Sequence, residues 1–221
     1  MLKKFFTAFY FMPLFFVLVW GSFAGYIYLG YTKDILSFTK EGGLIEDVCH
    51  IGYVSLLGVL LYLCDDYKDR IKSWGMFLFL AMCAFLREEG LHRYLSRTDS
   101  TPFKSRFFLN PNNPIGEKIV FGAFLIIVLG AVLYLMFKYV KPVFFKFFKL
   151  DAISWSICTM CGIGLAAKFI DRFPANYRKA NGVALPDDIY AIFQLVEESS
   201  EMFLPYMAII VLVQYHFIKK A

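Results

Sequence analysis

Histidine is scarce in this sequence: His50, His92 and His216 are the full complement. His216 falls at the opposite end of the span pattern from the other two, so a zinc site built on three histidines is excluded. Cysteine is limited to Cys49, Cys64, Cys83, Cys158 and Cys161, all inside or at the edge of apolar segments. A disulfide framework would place them in loops, so none is expected. Cys158 and Cys161 form a CxxC, but it lies within an apolar span and has no partner CxxC. Buried packing accounts for it better than redox chemistry. Internal repeats and low-complexity linkers are lacking too. The net charge of +5 comes from short basic clusters between apolar runs, which gives nucleic-acid binding no support.

Apolar residues are what the chain has in excess. They make up 59% of its 221 residues, at a mean hydropathy of +0.57, whereas a soluble domain is about 45–50% apolar. The surplus must face something other than water, and 26 Phe and 14 Tyr suit lipid-facing and interfacial surfaces. A bilayer core of about 30 Å needs roughly 20 apolar residues in a helix. Six stretches qualify, at about 5–31, 44–64, 73–93, 118–139, 150–170 and 190–217. Backbone groups in lipid must bond within their own segment, so these spans are helices. The expectation is an all-α, polytopic transmembrane helix bundle, 1–221 forming a single integral membrane domain. Lys3 and Lys4 ahead of the first apolar run resemble a secretory signal. That run is longer than the roughly 7–15 residues of a signal core, so a retained first span is expected.

Basic residues in short loops set orientation. Lys3, Lys4, Lys68, Arg70, Lys72, Lys138, Lys141, Lys146, Lys149, Lys219 and Lys220 fall on one side, packed into very short segments. Their density places both termini in the cytoplasm, as in a protein of the bacterial cytoplasmic (inner) membrane. Phe144, Phe145, Phe147 and Phe148 alternate with the lysines at 146 and 149, an aromatic–basic band suited to anionic headgroups. The 94–117 loop, with Pro102, Pro111 and Pro114, is the longest non-helical stretch expected.

Three segments share one acidic spacing: Glu46-Asp47-x-x-His50, Glu88-Glu89-x-x-His92 and Glu197-Glu198-x-x-Glu201, with x any residue. On a helix, positions i, i+3 and i+4 share a face. The second and sixth spans begin, and the third ends, on the same side of the membrane. All three patches therefore converge on the non-cytoplasmic leaflet, where the fifth span brings Lys168, Asp171 and Arg172. Charges near lipid are costly and mark function more often than chance. The acids outnumber Arg87, Arg93, Lys168 and Arg172, so some are protonated or a cation is bound.

Asp47-x-x-His50 and Glu89-x-x-His92 are also the carboxylate–histidine unit of di-iron and di-manganese bundles. On that analogy of parts, Glu46, Asp47, His50, Glu89, His92, Asp171, Glu198 and Glu201 are candidate ligands for a divalent metal, iron, zinc or manganese. Glu88 and Glu197 are candidate catalytic carboxylates, Glu88 acting as base toward a metal-bound water. Arg87, Arg93, Arg97, Lys104, Arg106 and Arg172 are candidate contacts for a phospholipid or lipid-linked substrate. The chemistry implied is a metal-dependent membrane hydrolase or oxidase. Two alternatives stand beside it: a structural or assembly subunit held by interhelical ion pairs, and a proton or cation pathway.

Overall fold

The computed structural model describes residues 5–31, 35–40, 42–64, 71–90 and 105–219. Helix is the only regular secondary structure among those residues, joined by short turns. Six long helices carry the fold: α1 (Phe11–Gly30), α3 (Leu44–Tyr62), α4 (Ile71–Glu88), α6 (Ile115–Phe147), α7 (Ala152–Asn181) and α8 (Asp187–Lys219). Two short ones, α2 (Ile35–Thr39) and α5 (Ser105–Leu109), lie between them.

Among the described residues, five segments are long and apolar enough to cross a membrane, namely α1, the Ile35–Tyr62 stretch that holds α2 and α3, α6, α7 and α8. The sixth, α4, is the marginal one. Its run free of Asp, Glu, Lys and Arg extends only from Ser73 to Leu86, between Lys72 and Arg87, about 21 Å at 1.5 Å per residue. Most side chains of α6 are exposed, including Ile126, Ile127, Leu129 and Phe137. Such a surface needs an apolar neighbour, and a helix this long and apolar finds one in a bilayer.

Packing divides the chain into two units, residues 1–56 with 143–221, and residues 57–142, with α3 and α6 continuous through both divisions. In the first unit, Ile27 of α1, Ile35 of α2, Ile45 and Cys49 of α3, and Ala191, Leu195, Met202 and Phe203 of α8 form one buried cluster. Trp20 of α1 donates to Ser199 Oγ of α8 at 2.9 Å, so the first span is built into this core. Nearer the other end, Gln214 is fully buried. It accepts from Ser156 Oγ at 2.6 Å and donates to Phe6 O at 2.7 Å, which satisfies both ends of its amide.

Pro205 lies inside α8 and cannot donate to the carbonyl one turn earlier. Gly52 of α3 is its counterpart: a Cβ there would meet Pro205 Cγ and Tyr206 Cε2 at 2.8 Å. Only glycine admits so close an approach, and Tyr206 OH secures it by donating to Val48 O at 2.7 Å.

The turn from α6 to α7 is tight. Lys149 N and Asp151 N both donate to Lys146 O, and Leu150 N donates to Phe147 O. Asp151 then caps α7, its Oδ2 accepting from Ser154 N at 3.0 Å and Ser154 Oγ at 2.8 Å. The geometry forces Leu150 to φ +57°, a left-handed conformation costing a non-glycine residue roughly 1–2 kcal/mol.

In the second unit, Trp74 donates to Leu60 O at 2.8 Å. Lys138 Nζ of α6 reaches Ser73 Oγ of α4 at 2.5 Å. Phe107 of α5 is fully buried and meets Phe121 of α6 edge-on at 5.5 Å.

Several helix bounds differ from expectation. The sixth helix starts at Asp187, the fifth runs on to Asn181, and the fourth continues through Pro142 to Phe147. Hydropathy registers only the stretch in lipid. Here the polar continuations keep their helical backbone bonds.

Candidate functional site

The polar centre of the first unit is built by α7 and α8. In α7 the stretch 152–167 carries no Asp, Glu, Lys or Arg, and in α8 neither does 202–218. Lys168 ends the first stretch and Glu201 begins the second. Their side chains form an ion pair, Lys168 Nζ to Glu201 Oε1, which ties the two helices at the edge of their apolar lengths. The ammonium side chain is 48% exposed and the carboxylate 19%. The lysine stem thus lies along the surface while the acid is largely enclosed.

Beyond this pair both helices continue outward, by about 20 Å each at helical rise. Phe173 and Phe193 stack between them at 4.7 Å with an interplanar angle of 4°. Asp171 and Glu197 lie in this continuation, and Glu197 is within electrostatic reach of Asp171, Glu198, Glu201 and Lys168. Arg172 Nε approaches Asp171 Oδ2 at 3.9 Å, both side chains being well exposed. Asp171, Glu197 and Glu201 outnumber Lys168 and Arg172 even before Glu198 is counted.

The second-span patch takes a different position. His50 Nε2 and Glu46 Oε1 are 3.9 Å apart on α3, with the Gly42 amide donating to Glu46 Oε2. Ile45, Val48, Cys49 and Gly52 form the side of α3 turned toward α8. Glu46 and His50 lie roughly 130° around the helix from that side. Asp47 is exposed. The Asp47–His50 spacing is helical, and Glu46, one turn before His50, approaches it as well.

The third patch differs most from expectation. The helix ends at Glu88, Gly90 N donates to Arg87 O at 3.1 Å, and Gly90 takes φ +64°. This is a glycine helix stop. Glu89 therefore sits in a turn, and the i, i+3 helical geometry expected of Glu89-x-x-His92 is interrupted at Gly90. Arg87 and Glu89 are exposed and Glu88 is half-buried. His92, Arg93, Arg97 and Lys104 lie outside the described residues, as does the side chain of Arg106.

Among the described residues, no three His, Cys, Asp or Glu side chains converge as a metal cage. The expected donor set is thus not assembled by the residues described. Cys158 and Cys161 are free thiols.

No family model, curated protein or solved structure matches this chain.

Trp20 and Ser199 are the contacts that spacing alone does not reveal. Ser199 stands between two acids in the Glu197–Glu201 pattern, yet it is fully buried and accepts the indole of Trp20. Only the buried side of α8, marked by Leu195, Met202 and Phe203, separates it from its charged neighbours.

Proposed function

We propose that this chain is a structural or assembly subunit of a membrane, a helical bundle whose boundary charges lock helices together. The observation that supports this most is the Lys168–Glu201 pair, an interhelical contact at the shared end of two apolar stretches. Near lipid an acid left without its cation is expensive, so such a pair fixes the relative height of two helices. The helices it joins form the longest hairpin of the unit and extend past the apolar region, where they offer a rigid platform for assembly.

A second reading draws on the surplus of acid around that pair. Asp171, Glu197 and Glu198, with Glu201 released from Lys168, would supply oxygen ligands to a divalent cation. A metal-dependent enzyme acting on a lipid or lipid-linked substrate would follow from it.

Thermal melting in detergent separates the two. For the structural subunit, chelator treatment leaves the melting temperature unchanged and Lys168→Met lowers it. A chelator-sensitive melt that Lys168→Met raises would transfer the cluster to the second reading, because removing the ammonium frees ligands for a cation.

A further inference from the structure

We infer that the α6–α7 turn is a docking site for anionic phospholipid, with the lysines holding headgroup phosphates and the phenylalanines inserted among acyl chains.

The sequence supplies the charge complementarity. Residues 118–150 contain no Asp or Glu. The next acid, Asp151, is engaged as the cap of α7 by Ser154 N and Oγ. Lys146 and Lys149 are both exposed, so two ammonium groups stand within one turn of chain, and the one acid beside them, Asp151, is turned to the start of α7. Bilayer phosphate is the partner that such groups meet at a membrane surface, each lysine strengthening attachment to an anionic leaflet about fivefold.

The turn also presents apolar surface beside those charges. Phe144 is 57% exposed, Phe145 58%, Phe148 68% and Leu150 53%. Phe144 and Phe148 meet edge-on at 5.1 Å, forming a small aromatic wedge. Leu150 bears on the question of what covers it. It occupies a left-handed position that glycine would take without strain, and its side chain is not buried within the protein. Acyl chains are the surroundings in which an exposed leucine there is stabilised.

The turn is rigid enough to act as a preformed site. Phe147 stacks on Trp155 at 4.5 Å, and the indole donates to Phe147 O at 3.0 Å. Together with the amide bonds to Lys146 O and Phe147 O, this leaves little backbone freedom to lose on binding.

Trp155 is also the reporter for the test. In a Trp20→Phe/Trp74→Phe background it is the remaining tryptophan, so its fluorescence reads the lipid beside the turn. The protein is reconstituted into vesicles of phosphatidylcholine with a fixed fraction of brominated phosphatidylglycerol or brominated phosphatidylcholine. Brominated phosphatidylglycerol is expected to quench Trp155 at a several-fold lower fraction, and Lys146→Gln/Lys149→Gln to abolish the difference. Equal quenching by the two lipids before the lysines are changed would overturn the proposal. The two tryptophan substitutions remove hydrogen bonds and can impair folding. A second measurement therefore keeps both tryptophans: phosphatidylglycerol retained per chain is counted by mass spectrometry of detergent-released protein. Fewer retained molecules in the lysine double variant support the site, and unchanged retention rejects it.

Discussion

At Lys168 and Glu201 the two members of one ion pair differ in exposure, and the cost of removing each should differ with it. Lys168→Met leaves a carboxylate that is 19% exposed beside Glu197 and without its cation. The expected loss is roughly 1–3 kcal/mol, the range for a stranded buried polar group. Glu201→Gln leaves an ammonium that is 48% exposed and able to reach water, so its loss should be smaller. Chemical denaturation in mixed detergent checks the order; an equal or reversed order would show that the acid is not the enclosed partner. Gly52 offers an independent residue-scale test. Gly52→Val forces atoms against Pro205 and Tyr206 where a Cβ alone already meets them at 2.8 Å, and should cost about 1–3 kcal/mol. A neutral result would mean that α3 does not approach α8 this closely.

The elements show what composition and spacing made legible and what they did not. Apolar runs announced every long helix, because lipid demands about 20 residues of them. Their ends were obscured wherever a polar stretch kept its helical bonds, as at 171–181 and 187–189. The acidic spacing located Glu197 and Glu201 correctly on one helix with Lys168 and Asp171 nearby. At Glu89 it runs into Gly90, which ends the helix, and His92 lies outside the described residues; a side-chain pattern carries no information on backbone hand. It also left open which side of α3 would meet α8. Glu46 and His50 share a face, but the buried side is set by Ile45, Cys49 and the absent Cβ of Gly52. At the α6–α7 turn, adjacent substitutions should have opposite signs. Asp151→Ala removes the cap of α7 and should cost about 1 kcal/mol. Leu150→Gly relieves a left-handed φ of +57° and should leave stability unchanged or raise it by up to about 1 kcal/mol. Melting of the two variants under one detergent condition checks this, and destabilisation by Leu150→Gly would refute the strain.

At the scale of the whole molecule, the five candidate spans among the described residues make an integral membrane protein, and the α7–α8 hairpin is where its charges are most organised. If the pair in that hairpin is a clamp, its worth lies in complementarity and not in the identity of either residue. Charge exchange measures this directly. Lys168→Glu and Glu201→Lys, each alone, place like charges together and should lower the melting temperature. The double exchange should restore most of the loss, with a coupling of roughly 1–3 kcal/mol, as found for directly paired groups. A double variant that melts as low as the two single losses added together would contradict the clamp.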